Sequence, residues 1–244
     1  MARRSKKKNS RIRFLITCGI FLLLFIIIYR NWGHRGSNSI LELPPLPDGF
    51  ISYGIDISHH QGPIDWEDYQ LTSDSLLSFV YCKSTEGLSH VDSQWEKNRE
   101  RLLELGIAHG AYHFFRPLSN PAKQAEHFLA HYSPHVGDLP PVLDAEIMGS
   151  SNAQLIEAMK IWLNAVETKT GKRPIIYTSH DFYRTKFIGK FPKHLFWIAN
   201  YNGSVSGLED PQIVHWQFSD KGQVPGINGP VDMNYSKWEF NAAQ

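Results

Sequence analysis

The stretch Pro141–Ser179, PVLDAEIMGSSNAQLIEAMKIWLNAVETKTGKRPIIYTS, sets a strand, a helix and a second strand end to end. Val142-Leu143 and Ile175-Ile176 open short apolar runs that follow prolines, the pattern of buried strands. Between them, Asn152–Thr170 carries Ile156, Met159, Ile161 and Leu163 as core candidates, Asn152 as the candidate cap and Gly171 as the stop. Two strands joined by so long a crossover pair in parallel, and the helix covers one face of their sheet.

The same alternation continues in both directions. Tyr53–Ser58, Phe79–Ser84, Ala108–Phe114, Pro141–Glu146, Pro174–Ser179, Leu195–Tyr201, Ile213–Ser219 and Val231–Tyr235 are eight strand candidates. Asp92–Leu105 and Pro121–Tyr132 supply further helices. The later strands are joined by shorter segments rich in Gly and Pro. The fold class is therefore α/β: a TIM-like barrel that begins as βα repeats and ends in irregularly connected strands. An open doubly wound sheet is disfavoured, because no Gly-rich phosphate fingerprint follows the first strand.

Length and charge bound the rest. The 244 residues suffice for a leader and one domain with its own core. Net charge is +1, but Arg3, Arg4, Lys6, Lys7, Lys8, Arg11 and Arg13 crowd the N-terminus and leave the remainder mildly acidic. No nucleic-acid-binding surface is indicated. Residues 1–13 form a basic tail, placed on the cytoplasmic side by the positive-inside bias. Phe14–Tyr29, FLITCGIFLLLFIIIY, with Trp32 at its far interface, predicts a single-pass transmembrane signal anchor over 14–32. No small-residue cleavage site follows it. Residues 33–50, carrying Gly, Ser and Pro, form a linker, and residues 51–244 the barrel. This places a monomeric domain outside the cytoplasm, tethered to the cytoplasmic membrane. The two cysteines are Cys18 in the leader and Cys82 in an apolar run, so the domain has no internal disulfide and Cys82 is a packed thiol.

In a parallel barrel the chemistry stands at the C-terminal ends of the strands. Those ends are rich in acids and aromatic rings. Asp144 and Glu146 lie two apart on the fourth strand, so both face one side, with Cα atoms roughly 6.5 Å apart. Two carboxylates in one pocket repel, so one keeps its proton at neutral pH, as glycoside hydrolysis requires. Asp56 and Asp232 stand at the same level of other strands. Trp197, Tyr201 and Trp216 are candidate rings for stacking on sugars, with Gln217 and Glu86 as further substrate contacts. A zinc site from His59, His60, His113, Asp56 and Asp144 is the weaker alternative, since no HxH or HExxH spacing occurs. No cofactor or metal is expected. A non-catalytic glycan-binding domain, or a metal-dependent hydrolase or deacetylase, are the competing readings.

The motifs YGIDISHHQGPIDW, FVYCKSTEG, GAYHFF, PVLDAE, IIYTS, FWIANY, VHWQFS and VDMNY together resemble the glycoside hydrolase family 25 lysozymes, in that family's order, from about Ile51 to Trp238. The resemblance implies an irregular barrel of five βα units followed by three β-strands. It implies hydrolysis of the β-1,4 bond between N-acetylmuramic acid and N-acetylglucosamine in peptidoglycan. It further implies Glu146 as general acid/base, Asp144 as the residue that steadies the reacting sugar, and Asp56 and Asp232 as the rest of an acidic cluster. Tyr112 and Trp197 match aromatic cleft positions. His60 departs from the aromatic residue found in some relatives. The tight D-x-E pair, with no other carboxylate suited to be a nucleophile, favours retention through the substrate's own acetamido group.

Overall fold

The computed structural model describes residues 43–73, 77–203 and 206–240. The tail, the candidate anchor and most of the linker lie outside them. Among the described residues, no helix is long and apolar enough to cross a membrane.

Eight strands close a barrel: β1 Ser52–Ile57, β2 Leu77–Glu86, β4 Ala108–Phe114, β5 Val142–Asp144, β6 Ile175–Ser179, β7 Phe196–Ala199, β8 Ile213–Gly222 and β9 Val231–Ser236. A two-residue strand, β3 His90–Val91, hangs on the edge of β2. Neighbours run β1-β9-β8-β7-β6-β5-β4-β2, and β1 pairs with β2 to close the ring. Helices α1 Trp66–Ser73, α2 Trp95–Glu104, α3 Pro121–His131 and α4 Asn152–Thr170 follow β1, β3, β4 and β5. A helical turn, α5 His180–Phe182, follows β6 and runs into a π-helical Tyr183–Phe187. These are five βα units and three further strands. Six of the eight barrel pairings are parallel, but β9 is antiparallel to both β1 and β8.

Local chemistry sets the helix ends. Asn120 accepts from Lys123 N at the start of α3, where Pro121 has no N–H that needs an acceptor. The cap of α4 is Ser151, which accepts from Gln154 N, and not its neighbour Asn152. Gly171 closes α4 in the left-handed conformation (φ 70°). Leu155, Met159, Trp162, Leu163 and Val166 form the buried stripe of α4, whereas Ile161 is exposed on its far side. Phe50, assigned to the linker by sequence, is buried against Trp216 and Tyr235, so the packed body begins before Ile51.

Strand alternation makes two apolar layers. Outward residues such as Ile55, Val80, Leu143, Ile176 and Ile198 pack under the helices. Inward residues Phe79, Tyr81, Val142, Ile175, Tyr177 and Trp197 fill the barrel. Two glycines make room for this filling. A Cβ on Gly54 would sit 2.5 Å from the Phe79 ring, and one on Gly110 would sit 2.4 Å from the Tyr81 ring. Trp238 and Phe240 pack against the same inner layer.

Candidate active site

Above the aromatic filling, at the C-terminal end of the parallel strands, the barrel opens into a cleft of about 260 Å³. The inward positions that carry rings lower down carry polar groups here. On β5 the sequence alternates Val142 in, Leu143 out, Asp144 in, and Ala145 returns to the outer layer. The strand ends at Asp144, two residues before Glu146, but its course is held beyond that point. Ala145 N donates to Tyr177 O (2.9 Å), and Thr178 Oγ1 donates to Ala145 O (2.8 Å). Pinned on both sides, the main chain delivers Glu146 to the same cleft as Asp144.

The two acids differ in surroundings. Asp144 is buried, and its Oδ1 has no hydrogen-bond partner among the described residues. Burial pushes its pKa well above the usual carboxylate range, the Glu146 charge adds to this, and Lys83 opposes it. Glu146 presents an exposed surface to the cleft, yet enough protein surrounds it to raise its pKa by desolvation. The nearby Tyr177 hydroxyl and the Lys83 charge oppose that rise.

Opposite them, the antiparallel course of β9 brings its first residues to the cleft. Asp232 is therefore level with Asp56 on β1 (register Asp56↔Asp232). Asp56 Oδ2 accepts from Gln217 Nε2 (2.9 Å) and Asn234 Nδ2 (2.8 Å). Trp197 Nε1 donates to Asn234 Oδ1 (2.8 Å). Gln217 Oε1 accepts from Tyr177 OH (2.8 Å) and Tyr201 OH (2.6 Å). Both amides are thus oriented with their N–H groups toward Asp56. Burial raises the pKa of Asp56 and Asp232 alike. The Asp56 charge and the hydrogen bond between the two raise Asp232 further, to about 8.

Of the residues singled out by sequence, Asp56, Asp144, Glu146 and Asp232 line this cleft, as do Tyr112, Trp197, Tyr201 and Gln217. Trp197 is only 2% exposed and serves as floor and as donor to Asn234, leaving little face for a sugar to stack on. Tyr201 is 50% exposed at the rim. Two expectations are corrected. Trp216 lies between the inward-facing His215 and Gln217, so alternation turns it outward. There it is buried against Phe50 and Tyr235, with Nε1 donating to Asn200 O (2.7 Å). Glu86 does not line the cleft. Its oxygens are taken by Lys83 Nζ (2.6 Å) and by Arg116 Nε (3.0 Å) and Nη2. Burial would raise its pKa, but these two cations hold it down at about 2.

The zinc alternative loses its ligand set. His113 points outward, hydrogen-bonded to Thr85 Oγ1 (2.8 Å) and stacked on Trp162, while His59 Nδ1 pairs with Asp92 Oδ2 (2.7 Å). Among the described residues, no cluster of three or more His, Cys, Asp or Glu could hold a metal ion. His60 does line the cleft. The sequence reading missed Lys83, Tyr177 and Asn234. All three sit at strand ends already recognised as polar, and their inward parity with Tyr81, Ile175 and Asp232 was the available signal. Cys82 is a buried free thiol whose pKa burial pushes up.

Comparison with known proteins bears on this site. Residues 55–227 match the model of the glycosyl hydrolases family 25. The chain is 39% identical over 192 residues to the uncharacterized protein YegX of Escherichia coli strain K12, spanning 78% of this chain and 71% of that one. It is 33% identical over 211 residues to lysozyme M1 of Streptomyces globisporus, spanning 78% and 69%. Among solved structures, the bacterial lysozyme from Streptomyces coelicolor superposes with a TM-score of 0.66 at 32% identity, covering 79% of this chain and 93% of that one.

Proposed function

Because the chain belongs to the glycosyl hydrolases family 25, and is a glycosidase, we propose that its cleft cleaves the β-1,4 bond between N-acetylmuramic acid and N-acetylglucosamine in peptidoglycan. The observation that carries the chemistry is the pairing of Glu146, open to the cleft, with Asp144, buried and holding an Oδ1 unpartnered among the described residues. Glu146 protonates the glycosidic oxygen as the bond to the anomeric carbon breaks. The acetamido oxygen of the muramic residue closes onto that carbon, giving a cyclic oxazolinium. Asp144 Oδ1 accepts the acetamido N–H and stabilises the positive charge that develops there. Glu146, now a carboxylate, takes a proton from water, and the hydroxide opens the ring with net retention.

Substrate also decides which acid holds the proton. In the free cleft, the buried Asp144 has the stronger claim on it. An acetamido N–H hydrogen-bonded to Oδ1 favours the ionised form of Asp144, while the sugar shields Glu146 from water. The proton thereby moves to the residue that must donate it. Asp56 and Asp232 line the floor under the sugar.

The candidate signal anchor at 14–32 would hold the barrel, as a monomer, outside the cytoplasmic membrane and within reach of glycan strands. The test is digestion of purified sacculi with product analysis by mass spectrometry and proton NMR. Muropeptides with reducing muramic ends, first appearing as the β-anomer, are expected. Glu146→Gln should lower turnover by about 10³-fold while leaving the thermal unfolding midpoint nearly unchanged. First appearance of the inverted anomer would sink acetamido participation, and normal digestion by the variant would remove Glu146 from the role.

A further inference from the structure

The basic residues outside the tail are unevenly placed. Residues 169–193 hold Lys169, Lys172, Arg173, Arg184, Lys186, Lys190 and Lys193 against one acid, Asp181. They come from the end of α4, its connection to β6, and the segment leading into β7. The fold gathers several of them. Lys172, Arg173 and Lys193 line one groove with Asp138, whose carboxylate faces Arg99 (3.6 Å) and His109 (3.5 Å), and Arg173 Nη1 donates to Lys193 O (3.2 Å). Arg173 also pairs with Glu167 (3.0 Å), and Lys172 Nζ donates to the main-chain oxygen of Asp138. No carboxylate lies within salt-bridge distance of Lys169, Lys190 or Lys193 among the described residues. Beside Lys190, at the turn closed by Gly189 (φ 70°), Ile188 is 54% exposed. The charges of Lys169, Lys190 and Lys193, without carboxylate partners, repel one another, and an apolar side chain beside them gains nothing from water. Both features match an anionic surface with an apolar interior.

Position in the barrel selects the same partner. The groove lies at the N-terminal ends of β6 and β7, the opposite end from the cleft. The described part of the linker, Leu43–Phe50, leads into the N-terminal end of β1, hence to that same end. We propose that this basic face, with the exposed Ile188 beside Lys190, docks onto an anionic lipid surface, so that the cleft at the opposite end of the barrel faces away from the membrane. The tether supplies proximity, so a weak patch suffices, and its role is orientation more than affinity. The proposal rests on the membrane reading of residues 14–32 for delivery, but its test separates the two.

The full chain is reconstituted in nanodiscs of phosphatidylcholine alone or with about 30% phosphatidylglycerol, and hydrogen exchange of residues 184–194 is followed. Exchange about fivefold slower only in the anionic discs, restored by about 0.5 M NaCl and by K190E/K193E, is the expected result. Equal exchange in both discs overturns the proposal while leaving the anchor and the glycosidase readings intact. Protection by soluble polyglutamate in neutral discs to the same degree overturns the lipid assignment in favour of a general polyanion site. Release of reducing ends from solubilised glycan by K190E/K193E should match the parent chain, since neither residue touches the cleft.

Discussion

At Lys83 a cation is held inside a cleft of acids. Its Nζ lies 2.6 Å from Glu86 Oε2, Arg116 grips the other oxygen of that carboxylate, and the Phe114 ring lies under the ammonium at 5.0 Å. The charge acts on both members of the Asp144–Glu146 pair, lowering the pKa of each against the pull of burial. Replacing Lys83 by Met removes that opposition and leaves Glu86 still paired with Arg116. Both acids then hold protons to higher pH. The acid limb of the kcat/KM profile, which reports the carboxylate that must be ionised, should move up by about one pH unit. Lys83→Arg should hold it near its original place. A Met variant with an unshifted acid limb would rule out this role.

The strands carry the geometry, and their spacing leaves little slack. Gly110 on β4 faces inward, and an added Cβ would meet Tyr81 Cε1 at 2.4 Å and Leu139 Cβ at 3.1 Å. Tyr81 has no room to yield, packed as it is against Trp197 and Phe79. Gly110→Ala should therefore destabilise the domain by about 1–3 kcal/mol through overpacking, measured as a lower denaturant midpoint with an unchanged slope. All eight barrel strands were legible, because strands buried on both faces are continuous apolar runs. So were α3 and α4, through Pro121 and Gly171. Helix α1, WEDYQLTS, was not: it is short and lacks a clear apolar stripe. The direction of β9 was equally hidden, since parity along a strand is the same whichever way it runs.

The whole molecule buries titratable groups of opposite kinds. Asp56 and Asp232 have raised pKa values, Asp232 to about 8, chiefly through burial. Their folded-state preference for the neutral form is fully available below the unfolded carboxylate pKa near 3.9, and it is lost as pH rises through the folded value. His113 and His215 have values lowered to about 3 by burial, so their contribution is present above about 6.5 and lost as pH falls. The two slopes oppose each other between about pH 4 and 6.5, and above that only the acid slope remains. The unfolding midpoint should fall from pH 6.5 to pH 8. Asp232→Asn, a mimic of the protonated acid, should flatten that fall and gain on the parent as pH rises. A parent midpoint that is constant or rising over this window would contradict the assignment.

By itself the sequence determined the α/β alternation, the count of barrel strands and the level at which Asp56, Asp144 and Glu146 stand. These follow from apolar runs and local spacing, which survive without knowledge of neighbours. Only the tertiary structure decided that Trp216 faces the outer layer, that Glu86 is spent on two cations, and that Asn234 and Gln217 turn their amides to one carboxylate. Ring closure and strand register bring together groups such as Asp56 and Asn234 from opposite ends of the chain, and no local pattern records which of them will touch.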